Sequence, residues 1–140
     1  MRDSLNQIKA TSAFDYASRT ATANGTNIID MQGFDSCSFV VQLATVTTAD
    51  ASNYFTFTLQ AGDASDLSDG ATVTAATGLL GSNLVVNSDL SNKVGIMGYS
   101  GGKRYVRMVA TETGTASAAF SAVAVQGMPH VAPVGDQAFA

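Results

Sequence analysis

Between residues 53 and 61 the chain alternates without a break, with Phe55, Phe57, Leu59 and Ala61 on one side and Tyr54, Thr56, Thr58 and Gln60 on the other. A period of two puts successive side chains on opposite faces of a pleated strand, so the stretch predicts a strand with an apolar inner face and a hydroxyl-rich outer one. Residues 37–47 repeat the pattern: Cys37, Phe39, Val41 and Leu43 alternate with Ser38, Val40, Gln42 and Ala44. Two further runs, 104–111 and 117–126, are rich in β-branched, aromatic and small residues. In the first, Val106, Met108 and Ala110 alternate with Tyr105, Arg107 and Val109; in the second, Phe120, Ala122 and Ala124 alternate with Ser121, Val123 and Val125. The Glu112-Thr113-Gly114-Thr115 link offers a glycine for positive φ, and the two runs predict one long hairpin, central in its sheet because both faces are partly apolar.

Shorter strands are expected over 27–31, 72–75, 83–86 and 93–98, punctuated by polar stretches at 62–71, 87–92 and 98–102. The one helical spacing, Leu5 to Ile8, allows a short helix over residues 2–10 that is marginal alone. Many short strands divided by turn residues predict an all-β chain, an antiparallel β-sandwich of jelly-roll type. Its expected core is Phe39, Val41, Phe55, Phe57, Leu59, Val106, Met108 and Phe120. Residues 26–127 form this domain. Residues 1–25, with anchors such as Leu5, Ile8 and Phe14 scattered among polar neighbours and a turn signal at Asn24-Gly25, are expected to form an extended N-terminal arm. Residues 128–140 carry Pro129 and Pro133, which oppose regular pairing, beside apolar Val131 and Phe139; they are expected to form a C-terminal arm seeking a partner surface.

Composition narrows the classes. At 140 residues with one cysteine, the chain buries enough surface to fold without staples, and Cys37 is expected as a small core residue. Charged residues make up 13% and hydrophobic residues 46%, a sparse surface charge that suits a protein lying against other proteins and self-associating, most simply as a two-fold dimer. The formal charge of −4 argues against a phosphate-backbone partner, so no nucleic acid is expected. Residues 1–7 hold no continuous apolar region and no later stretch is long enough to span a bilayer, so neither a signal peptide nor a membrane partner is expected.

Candidate chemistry fails on spacing. Asp63, Asp66 and Asp69 are the best hard-cation set, but counting from Asp63 puts Leu67, Ser68 and Thr74 where a Ca²⁺ loop needs an oxygen ligand, glycine and glutamate. A solvated turn is expected there, with no dependence on metal. Gly98, Gly101, Gly102 and Lys103 lack the first glycine and the following Ser or Thr of a phosphate loop and lead into a strand. His130, the only histidine, lies in the Pro-flanked tail, a poor place to hold a catalytic base. The chain is therefore expected to be a non-enzyme without a cofactor. Three basic residues, Lys103, Arg104 and Arg107, cluster before and within the 104–111 run and are candidate charge partners for another protein.

The segment KVGIMGYSGGKRYVRMVATETGT followed by FSAVAVQGMPHVAPV, residues 93–134, joins a Gly-Tyr turn, a KRYVR strand, a TGT tip, a small-residue strand and a Pro-containing tail. With the earlier NIIDMQGFDSCSFVVQLATV, the Phe-Thr-Phe strand and the GDASDLSDG loop, it resembles the cement, or decoration, proteins of tailed-phage heads. It is most similar to the jelly-roll cement proteins of short-tailed Bordetella phages. The resemblance implies a virion protein, made in the host cytoplasm, that binds the capsid exterior and bridges neighbouring major capsid protein subunits. It also implies an oligomer near symmetry axes, with a dimer favoured. The contacts expected are Leu5, Ile8, Phe14, Lys103, Arg104, Arg107, Pro129, Val131, Pro133 and Phe139. Other phage head or tail structural proteins share such strands. A carbohydrate-binding sandwich is the alternative of a different class, for which Tyr54 and Tyr99 are the candidate exposed platforms.

Overall fold

The structure, a computed structural model, describes residues 3–135. It is the expected all-β antiparallel sandwich, jelly-roll-like, with two sheets closing on one core. The strands are β1 (Lys9–Arg19), β2 (Ala23–Asn24), β3 (Ile29–Asp30), β4 (Phe34–Thr48), β5 (Tyr54–Gly62), β6 (Ala71–Thr72), β7 (Leu79–Leu80), β8 (Leu84–Val86), β9 (Val94–Tyr99), β10 (Tyr105–Thr113) and β11 (Ser117–Pro129). One sheet has the order β1-β11-β4-β9-β7; the other has β2-β10-β5-β6, with β3 also on β10 and β8 also on β5.

All eight expected core residues are buried. Burial pushes the Cys37 thiol up to about 12, so it packs as a small apolar residue. At the centre four phenylalanines meet edge to face: Phe120 lies 4.9 Å from Phe57, 5.4 Å from Phe14 and 5.7 Å from Phe55. Such T-shaped pairs add to area burial because ring edges and faces carry opposite partial charge.

The expected hairpin is corrected. β10 pairs with β5 and β11 with β4, so the two runs belong to opposite sheets and face each other across the core. Each has a core-facing side, and facing buries both: Val106, Met108 and Ala110 from one, Phe120, Ala122 and Ala124 from the other. The chain crosses at Gly114, whose φ of 73° only glycine adopts cheaply. Asn53 steadies the crossing, its side-chain oxygen accepting the Thr115 N–H at 2.8 Å.

The expected arms are shorter than the sequence suggests. Residues 9–19 are β1, registered along β11 from Lys9 opposite Gln126 to Arg19 opposite Ala118. The proposed helix over residues 2–10 is a 3-10 turn at Leu5–Gln7 followed by that strand. The chain crosses to the other sheet between Arg19 and Ala23, and Gly25 then lies close to β10 and β1: its N–H donates to the Met108 carbonyl at 2.7 Å, and a side chain there would meet the Met108 and Ala13 carbonyls at 2.8 and 2.9 Å. At the other end β11 continues to Pro129, opposite Phe34. A missing N–H costs least at the last residue of a strand, and pairing resumes at once, with the His130 N–H donating to the Gly33 carbonyl at 2.9 Å. What remains outside the sandwich is residues 3–8 and 130–135.

Candidate functional site

The register brings both terminal segments to one pole. There β1 begins, β11 ends, and the 31–33 and 100–104 loops join their strands. The two segments are tied together, the Val134 N–H donating to the Asn6 carbonyl at 3.0 Å. Leu5 (59% exposed) and Val131 (78% exposed) present bare apolar surface, beside exposed Pro133 and half-buried Ile8 and Pro129. Lys103 and Arg104 stand on the neighbouring loop, which shares a shallow recess with Gln32, Phe34 and His130. Leu5, Ile8, Lys103, Arg104, Pro129, Val131 and Pro133 are therefore gathered at this pole. Phe139 lies outside the described residues.

Phe14 is a correction. It is 1% exposed and stacked in the aromatic centre, so it holds β1 to the core and offers nothing to a partner. Arg107 stands on the outer face of the β10–β5 pair, its Nε donating to Gln60 Oε1 at 2.9 Å, further along the strand than the loop basics.

The loop basics are occupied within the chain. Arg104 grips Asp30 with two parallel bonds of 2.9 Å and donates to Gln32 Oε1 at 2.7 Å; its guanidinium lies 5.0 Å over the Tyr105 ring. Lys103 pairs with Asp63 at 2.6 Å. Both pairs are about half exposed, so they shape the loop more than they stabilise the fold. The loop is also held from below: buried Tyr99 accepts the Lys103 N–H at 2.9 Å and donates to the Lys103 carbonyl at 3.2 Å. Buried Gln126 donates to the Asp30 carbonyl at 2.8 Å, and His130 Nε2 meets Asp35 Oδ1 at 2.7 Å.

Asp63, Asp66 and Asp69 are dispersed, the Asp63 carboxylate to Lys103 and the other two to capping the loop. Asp69 accepts the N–H groups of Asp63 and Ala64, and Asp66 accepts that of Ser68. Among the described residues no group of three or more His, Cys, Asp and Glu side chains is placed to hold a metal ion. Tyr99, one of the two tyrosines expected as glycan platforms, is 0% exposed; it ends β9 on the inward side, as Met97 does, which hides the ring in the core, and Tyr54 is half-buried on β5.

These carboxylates set an acid limit. The Arg104 guanidinium holds Asp30 below the ordinary carboxylate range; the Asp63 and Ala64 amides do the same for Asp69, the Asn53 amide for Asp50, and Ser68 and Ser91 for Asp66 and Asp89. A carboxyl depressed in the folded state contributes stability above its unfolded value, lost as pH falls through the folded one. The melting temperature is therefore expected to stay level from pH 8 to 5 and to fall below about pH 4. Thermal melts across that range check it, and the double variant Asp30→Asn, Asp69→Asn should flatten the acid limb.

One feature escaped the sequence reading. The outward residues of β11, β4 and β9, among them Val123, Val125, Ser38, Val40, Val94 and Ile96, include no charged side chain. The signal lay in the apolar second face of each alternating run, but which second faces would adjoin was not fixed.

No protein-family model and no curated protein matches the sequence. Among solved structures, the chain is similar to the SPBc2 prophage-derived protein YomS, at 12% identity and a TM-score of 0.53, with 86% of this chain and 93% of that one covered. That likeness establishes a shared fold. A structure of infectious bursal disease virus, Gx strain, aligns at 15% identity over 91% of this chain and 34% of that one, with a TM-score of 0.42, too low to argue from.

Proposed function

We propose that this protein is a non-enzymatic structural component of a phage virion, a decoration or cement protein that sits on the capsid exterior and bridges major capsid protein subunits. In this reading the pole that carries both terminal segments is its foot. The observation that carries the reading is the gathering there of exposed Leu5, Val131 and Pro133 with the braced Lys103 and Arg104 loop. A flat shell is gripped well by a surface that combines bare apolar anchors with pre-ordered charges, because less ordering entropy is lost on contact. The sandwich behind the foot needs only to be rigid. The fold shared with a prophage-derived protein and the resemblance of residues 93–134 to phage cement proteins support the phage setting, and sparse charge supports a homo-oligomer, most simply a dimer. Repetition over a closed shell lets weak single contacts suffice.

The test is removal of residues 130–140, which begin just after β11 ends. The truncated chain is expected to keep its cooperative melt while its retention on purified heads falls by about tenfold or more, equivalent to about 1.4 kcal/mol per site. Equal retention of truncated and intact protein would take the foot away from this pole. An intact protein with no affinity for heads would end the functional reading altogether.

A further inference from the structure

The geometry points to a second docking site, on the side of the sandwich, where the open edge of β9 and the cleft beneath it accept an extended peptide segment of another protein as an added strand. β9 lies between β4 and β7, but β7 covers only Gly98 and Tyr99. The bonds at the two ends of β9 fix which way each backbone group points. The Leu43 N–H donates to the Lys93 carbonyl and the Ser100 N–H to the Gly78 carbonyl. In an antiparallel ladder residues alternate in direction, so Gly95 and Met97 bond to β4 while Val94, Ile96 and Gly98 turn the other way. Gly98 meets Leu80, whereas no strand stands opposite Val94 and Ile96 among the described residues. Two N–H and two C=O groups thus form an open ladder continuing the line of β7. Proteins usually blunt such an edge with a proline, an inward charge or a bulge; Val94–Tyr99 has none of these.

Directly inside that edge lies a cavity of about 110 Å³ between the sheets, lined by Val41, Leu43, Phe57, Leu84, Val86 and Leu90. Gly95, the inward residue of β9, is covered by Leu84, whose Cδ1 would lie 2.9 Å from a Cβ there, and the cavity opens beside that contact, where Val85, Lys93 and Val94 complete its lining. An apolar cavity of about 150 Å³ holds a benzene ring, so this one has room for a single leucine-sized group. A strand added beside β9 would send alternate side chains inward, the one nearest Lys93 towards this opening. Lys93 stands at the mouth, exposed and outside every ion pair among the described residues. A segment continuing the direction of β7 would run from Gly98 towards Lys93. The occupant that fits is therefore an extended segment with alternate aliphatic residues, one of leucine size facing the cavity, and an acidic residue at its C-terminal end. Backbone bonds would supply affinity and the cavity and lysine the selectivity, as in other strand additions. This side site stands apart from the pole described above and does not depend on it.

The probe is an acetylated hexapeptide alternating threonine and leucine and ending in glutamate, titrated into isotope-labelled full-length protein and followed by amide hydrogen exchange and methyl shifts. The Val94 and Ile96 amides should exchange quickly in the free protein and slow by about tenfold or more with peptide, as in a formed ladder, while the Leu84 and Val86 methyls shift. The same peptide N-methylated on the amides facing β9 should not bind, a control that leaves the protein unaltered. Lys93→Glu should reverse the preference between peptides ending in glutamate and in lysine. The proposal fails if Val94 and Ile96 are already as protected as Gly95 and Met97 in dilute free protein, or become so on concentrating it alone, which would make a second copy the occupant. It fails equally if the N-methylated peptide binds as well as its parent, or if charge reversal leaves the preference unchanged.

Discussion

Phe120→Ala is expected to lower the unfolding free energy by about 3–5 kcal/mol, a large share of the roughly 5–15 kcal/mol that holds a domain together. Phe120 is fully buried and sits at the meeting point of Phe14, Phe55 and Phe57. Those rings come from β1 and β5, strands of opposite sheets, so no single movement closes the space that truncation leaves. The neighbours along β11 cannot fill it either, because Ala118, Ala119 and Ala122 are already small. A second loss comes from outside the ring cluster. The Arg19 guanidinium lies 5.4 Å over Phe120 and 5.0 Å over Phe14, with its Nε buried without a hydrogen-bond partner while an Nη donates to the Asp15 carbonyl at 3.0 Å; the variant removes one of the two ring faces that cation lies over. Urea unfolding of the variant should show a lower midpoint with an unchanged slope. A loss under about 0.5 kcal/mol, the range of ordinary surface changes, would mean that the aromatic centre is not where the sheets are held.

How much of this was readable depended on whether the signal was local. The Phe-Thr-Phe alternation of β5 and the Cys37 to Leu43 alternation of β4 are period-two patterns in long strands, and their inward residues are all buried. β1 escaped because its register shifts between Ser12 and Phe14 and again between Phe14 and Ala17, so the bulges erase the alternation that would betray a strand. β2 and β7 are two residues each and have no period to show. Alternation also says which side of a strand is inside but not which strand is its neighbour, and for that reason β10 and β11 read as a hairpin. The candidate surface divides likewise. Exposed Leu5, Val131 and Pro133 were visible as apolar residues in a polar or Pro-rich context. The fate of Arg104 was not, since its partner Asp30 lies 74 residues away, nor was the burial of Phe14, which only the unseen strand explains.

The misread strand gives the sharpest test of the fold. Deleting residues 1–25 is expected to abolish cooperative folding, whereas deleting residues 1–7 should leave the sandwich intact. The longer deletion removes β1 and β2. It takes Phe14 from the aromatic centre, about 3–5 kcal/mol by comparison with other buried phenylalanines. It also strips the ladder from one whole side of β11, from Ala118 to Gln126; at a net contribution of roughly 1 kcal/mol per bond the loss is of similar size again. The two together rival the entire stability of a domain. What is left would present β11, rich in alanine and valine, as a long bare edge, an invitation to aggregate. Among the described residues the shorter deletion removes the 3-10 turn at Leu5–Gln7, which buries no side chain, and the bond from the Val134 N–H to the Asn6 carbonyl. Amide dispersion and thermal melts of the two truncations separate the outcomes. A residue 26–140 protein with a dispersed spectrum and a sharp melt would show that the domain begins at residue 26 and that β1 is an arm after all.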